Sequence, residues 1–123
     1  DMSSAAHEID GIKVVAQRSA VGNVADLRTM ADGLRGSLES GVGVLGADLA
    51  GKVSFIAVVT DDLIEGRGLK AGDIVRDVAK IAGGSGGGKA HQAQAGGRDP
   101  SKIDEALAAV VGIVERQLAE AGL

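Results

Sequence analysis

VSFIAVV, residues 53–59, is apolar on both faces of any strand it forms, so both faces must be covered. A strand of this kind sits in the middle of a sheet under packed helices, which predicts a layered α/β arrangement and excludes a sheet with one wet face. Just upstream, VGVLG (42–46) is a second apolar run. The intervening ADLAGK is a short, polar, glycine-containing turn that suits an antiparallel hairpin.

Helical stripes flank this hairpin. Asn23 offers an N-cap, and Val24, Leu27, Ala31, Leu34 and Leu38 recur at helical spacing. Gly33 and Gly36 weaken that helix by about 1 kcal/mol each relative to Ala, so packing has to hold it, and Gly41 is the expected stop. Ala71, Ile74, Val75, Val78, Ala79 and Ala82 mark a second amphipathic helix, with Gly83 placed to cap it. Asp99-Pro100 starts a third, since Asp caps and Pro is tolerated at the first helical position; its buried stripe is Ile103, Leu107, Val110, Val111, Val114 and Leu118. IKVVAQRS (12–19) and AHQAQA (90–95) read as further strands. The expected fold is α/β, a small mixed β-sheet packed with about three helices in the order βα ββα loop βα. DMSSAAHEIDG (1–11) shows no clean period and reads as the end of a preceding linker, leaving 12–123 as one globular domain.

Between the second helix and the last strand runs GGSGGGKAHQAQAGG, residues 83–97. Five glycines and a serine in six positions leave bare backbone, whose N–H groups can turn to one side and form an anion nest. Lys89 follows with a positive charge, and Gly96 and Gly97 admit close approach at the far end. On composition alone a flexible connector is the commoner reading; the framing by Lys89 and the second glycine pair favours an anion site. The order helix, loop, strand is the reverse of the one that seats a dinucleotide on a helix N-terminus, which argues against a Rossmann site.

Composition narrows the chemistry. Phe55 is the single aromatic residue among 123, so base stacking on aromatic side chains is excluded. The absence of cysteine excludes disulfides, thiolate zinc sites and thiol nucleophiles. No apolar run approaches the length of a membrane span and no leader is visible, so the expected setting is soluble and cytoplasmic, without a membrane partner. A net charge of −4 argues against a general nucleic-acid binder. Between Arg67 and Lys102, however, seven basic residues face three acidic ones, a local excess of four positive charges. Asp73 with Arg76 and Asp77 with Lys80 explain part of it as helical pairs, whereas Lys89 and Arg98 flank the glycine run. His7 and His91 belong to no metal-spaced cluster, and His91 reads as an exposed side chain on a short strand. Asp61 and Asp62 form the one adjacent carboxylate pair; they suit a turn or helix cap more often than a site. No residue carries a catalytic or metal-binding assignment.

The glycine run Gly83, Gly84, Gly86, Gly87, Gly88, then Lys89, then Ala93-Gln94-Ala95-Gly96-Gly97, resembles the DHH-associated domain family, and within it the C-terminal globular domain of alanyl-tRNA synthetases. The likeness extends upstream through the hairpin and the Lys70-Ala71-Gly72 helix start, and spans roughly residues 9 to 121. It departs at Lys89-Ala90-His91-Gln92, where the synthetase pattern usually reads Arg-Pro-Asp-Met. The resemblance implies a tRNA-binding module that contacts the outer corner of an alanine-specific tRNA and assists aminoacylation and editing performed by other domains of the same parent chain. ATP, magnesium and zinc are then expected for the parent alone, with no cofactor in this piece, and a homodimer is possible through the family's C-terminal region. The anion- or RNA-binding residues expected are Lys80, Gly83, Gly84, Gly86, Gly87, Gly88, Lys89, Gln94, Gly96, Gly97 and Arg98. The alternative within the family is the substrate-binding domain of a DHH-type phosphoesterase acting on nanoRNA or cyclic dinucleotides. There a His often follows the glycines, and His91 lies two residues late for that pattern.

Overall fold

The computed structural model describes residues 7–9 and 11–121. Six strands form one sheet: β1 (His7–Ile9), β2 (Ile12–Arg18), β3 (Gly41–Leu49), β4 (Lys52–Val59), β5 (Ser85–Gly88) and β6 (Gln92–Gly97), in the order β1-β2-β3-β4-β6-β5. Only β2 and β3 run parallel, joined through α1 (Val24–Ser37); every other pairing is antiparallel. The remaining helices are α2 (Asp61–Arg67), α3 (Ala71–Ile81), α4 (Ile103–Ala108) and α5 (Val110–Ala121), with a 3-10 turn at Pro100–Lys102 before α4.

The period-2 alternation of the strands splits the core in two. Val42, Val44, Val53, Phe55, Ala57 and Val59 pack on one side with Ile74, Val75 and Val78 of α3 and with the buried residues of α4 and α5. Val15, Leu45, Ala47, Ile56 and Val58 pack on the other side with Leu27, Ala31 and Leu34 of α1. The two-faced strand read from VSFIAVV is therefore central, flanked by β3 and β6 and covered on both sides.

Several local readings are corrected by the structure. The hairpin turn is not the six residues ADLAGK but Ala50–Gly51 alone; φ is positive at both (56° and 91°), the geometry of a two-residue primed turn, and Asp48 Oδ1 accepts from Gly51 N at 2.8 Å. Asn23 caps α1 as expected, accepting from Asp26 N at 2.9 Å. The helix stops at Ser37, however, and Gly41 opens β3, where a Cβ would lie 2.6 Å from the Lys13 carbonyl oxygen. The last long helix is two: Ala109 N–H is shared between the carbonyls of Glu105 and Ala106, and the chain restarts as α5. With α2, the described residues hold five helices where about three were expected. Of the segment 1–11, residues 1–6 and 10 lie outside the described residues, while His7–Ile9 pair with β2 in register Ile9↔Ile12.

The Asp61–Asp62 pair sits in the first turn of α2, where carboxylates suit the helix dipole. Thr60 Oγ1 accepts from Gly41 N at 3.0 Å and donates to Asp62 Oδ1 at 2.5 Å, while Ser40 Oγ donates to Asp62 Oδ2 at 2.5 Å. Those two hydroxyls, Ser40 first, hold the Asp62 carboxyl below its ordinary pKa. Arg35 reaches across from α1 to the Val59 carbonyl at 2.9 Å and to Asp61 at 2.6 Å, tying the helix to the end of the central strand.

Candidate nucleic-acid interface

The glycine run begins as a helix ending. Gly83 adopts φ +74°, Gly83 N–H donates to Lys80 O at 3.1 Å and Gly84 N–H to Ala79 O at 2.9 Å, the two bonds of a Schellman motif closing α3. Gly83 thus caps this helix, as its position predicted.

Beyond it, the expected nest does not form. Residues 84–87 have no positive φ, and Ser85–Gly88 run as an extended strand antiparallel to β6, in register Ser85↔Gly96 and Gly88↔Ala93. The glycines serve close approach instead: a Cβ would lie 1.7 Å from the Gly96 carbonyl oxygen if placed on Gly84, and 2.4 Å from Ala95 Cα if placed on Gly86. Gly72, from the Lys-Ala-Gly helix start, packs its missing side chain against the Gly88 carbonyl in the same way, which lets α3 lie on β5. Gly87 differs, with open space around it.

The result is a thin two-stranded ribbon, β5–β6, with β5 on the outer edge of the sheet. Ala93 and Ala95 of β6 point into the core shared with α3, and Gln92 and Gln94 point to the opposite side, where α1 lies. Because α1 packs on β3 and β4, the ribbon's own face on that side stays open. Lys89 and His91 occupy the tight turn joining the two strands, with Lys89 N–H donating to Gln92 O at 3.1 Å, and both side chains are exposed. Arg98 is also exposed but follows the other end of β6, roughly 20 Å away at about 3.3 Å per residue. Its backbone N–H donates to Ala82 O at 2.9 Å, so it stands beside the α3 cap, and the adjoining Gly97 leaves room for Ala82.

Lys80 is not brought to this ribbon turn. It pairs with Asp77 at 3.8 Å on the exposed side of α3, and Asp77 also receives a hydrogen bond from Arg116 of α5. That group of charges joins two helices.

One residue was missed by sequence reasoning. Arg28, on the exposed side of α1, reaches the open face of the ribbon and donates Nε–H to Gln94 Oε1 at 3.1 Å. Together Arg28, Gly87, Lys89, His91, Gln92 and Gln94 line a recess of about 430 Å³ with Ile56 beneath it. No Asp or Glu lines it, and among the described residues neither Arg28 nor Lys89 makes a salt bridge. In sequence, Arg28 is one polar position of an amphipathic helix; only the sheet order puts it beside β6. The arrangement offers hydrogen-bond donors and positive charge around a shallow recess beside a glycine-rich strand. Among the described residues no group of three or more His, Asp or Glu side chains converges as a metal site, and no helix is long and apolar enough to cross a membrane.

Comparison with known proteins identifies the family and the fold. The DHHA1 domain model matches residues 11–116. The alanine–tRNA ligase of Acetivibrio thermocellus is 47% identical over 119 residues, which cover 97% of this chain and 13% of that protein. That of Oceanobacillus iheyensis is 48% identical over 103 residues, 84% of this chain and 12% of the relative. The chain therefore spans about an eighth of the length of these relatives. Among solved structures, the C-Ala domain of Aquifex aeolicus alanyl-tRNA synthetase superposes with a TM-score of 0.73 at 25% identity, over 88% of this chain and 96% of that domain.

Proposed function

Since the chain belongs to the DHHA1 domain family, we propose that it is the tRNA-contacting C-terminal module of an alanine–tRNA ligase, engaging the corner of the tRNA through the β5–β6 ribbon. The reading is carried by one observation: an exposed edge ribbon rich in glycine and alanine, whose turn-end recess is lined by Arg28 and Lys89 and, among the described residues, by no carboxylate. A surface of that kind lets a nucleic-acid backbone approach the protein main chain closely while Lys89 and Arg98 supply charge at its two ends. It contains no Phe, Tyr or Trp on which a base can stack, so recognition is chiefly of shape and backbone. Chemistry on alanine and ATP belongs to other domains of the parent, with their magnesium and zinc, and this module holds the tRNA for them. The phosphoesterase alternative has no observation of its own in its favour.

Filter binding with intact alanine-specific tRNA and with an isolated acceptor-stem hairpin tests this. Intact tRNA should bind, with log K falling against log salt at a slope near −2 to −3, for about three phosphates neutralised. The hairpin should not. Equal affinity for the two would remove the corner from the account, and binding of neither would remove RNA.

A further inference from the structure

We propose that the recess between α1 and the ribbon is a pocket for one backbone phosphodiester of RNA, with Arg28 as its principal contact; this rests on the RNA-binding reading above. Arg has no acceptor atom, so the Arg28–Gln94 hydrogen bond fixes the Gln94 amide with its oxygen toward the guanidinium. The amide NH₂ is then left as a free donor. Arg28 spends only Nε–H on that bond and retains both terminal nitrogens, the fork that grips two oxygens of one phosphate. Gln94 also limits the rotation of the guanidinium, so less freedom is lost when an anion arrives.

Lys89 adds a point charge from the turn, and no carboxylate lines the space to compete for the cations. Ile56, which faces the same side of the sheet as Gln94, lies under these donors. At about 430 Å³ the recess exceeds a bare phosphate and has room for the attached sugar. It opens on the same face as the ribbon, so a strand lying on β5 and β6 passes its phosphate over Arg28. A chain phosphodiester is thereby favoured over a free small anion, which the same donors would hold only weakly in an open recess.

The test uses the 123-residue chain with two probes. With intact tRNA near 0.1 M salt, Arg28→Gln should lower affinity about tenfold and make the salt slope shallower by somewhat less than one unit. Arg28→Lys should keep the slope and recover only part of the affinity, since the charge remains and the fork is lost. Gln94→Glu should cost at least as much as Arg28→Gln, because its carboxylate occupies the guanidinium and repels the phosphate. With inorganic phosphate, the amide resonances of Gly87, Lys89 and Gln92 should shift saturably in the wild type and stay still in Arg28→Gln.

Arg28→Gln binding tRNA with wild-type affinity and slope would overturn the pocket while leaving the ribbon reading standing. Phosphate shifts that persist in Arg28→Gln would overturn it too. Arg28-dependent phosphate shifts without any tRNA binding would make a free anion the occupant, overturning both the proposal as stated and the RNA reading.

Discussion

At Gly84 a single added methyl group would lie 1.7 Å from a backbone oxygen of the neighbouring strand, whereas at Gly87, three residues on, it would meet nothing within 4 Å. The two glycines look alike in sequence and differ in consequence. Gly84→Ala has to push β5 away from β6, an overpacking that costs about 2 kcal/mol or more and lowers the melting temperature by roughly 10 °C. Gly87→Ala should change stability by less than about 0.5 kcal/mol. Thermal melts of the two variants decide the matter, and equal losses would mean that the ribbon packing is misread. Composition pointed to residues 83–88 as special, yet a nest and a close strand contact both ask for a missing Cβ, so the reason could not be read from the glycines themselves. Because Gly87 has no positive φ, its value to a ligand lies in openness and not in left-handed backbone.

Among the elements, those with a long apolar period were legible and the short ones were not. The stripe Leu27, Ala31, Leu34 and the run 53–59 are buried as their spacing requires. Helix α2 was missed because DDLIEGR fully buries only Leu63, with Ile64 partly buried beside it, too little to show a period. Its start is held by polar contacts, and these make a prediction about pH. The hydrogen bonds from Ser40 and Thr60 depress the Asp62 pKa in the folded state, so their stabilisation is fully present above the ordinary carboxylate value and is lost as pH falls through the lower, folded value. Ser101, by its hydroxyl first and then its N–H, depresses Asp99 in the same direction before α4. Asp62→Asn should accordingly melt below the wild type at pH 6, with the gap closing as the pH drops below about 4. A gap that stays constant down to pH 2 would show that the carboxylate charge at Asp62 contributes nothing.

For the molecule as a whole, the arrangement that makes the site depends on sheet order, which no local pattern encodes. Strand β6 inserts between β4 and β5, and this places Gln94 next to Arg28 across 66 residues of sequence. The same order separates Lys80 from Lys89, although both lie near the glycine run in sequence. The family likeness reached the ribbon through its glycines and Gln94, and stopped short of Arg28 because nothing in the helical pattern distinguishes that arginine from other exposed charges. The central claim is that the ribbon face is where tRNA lies. Hydrogen–deuterium exchange of the chain with and without intact tRNA tests it most directly, since among the described residues β5 forms the outer edge of the sheet and no strand lies beyond its edge amides. Protection on binding should concentrate in peptides covering residues 84–97, with a smaller effect around Arg28 and none on the exposed side of α5. Protection confined to α4 and α5, with residues 84–97 exchanging as in the free chain, would contradict the account.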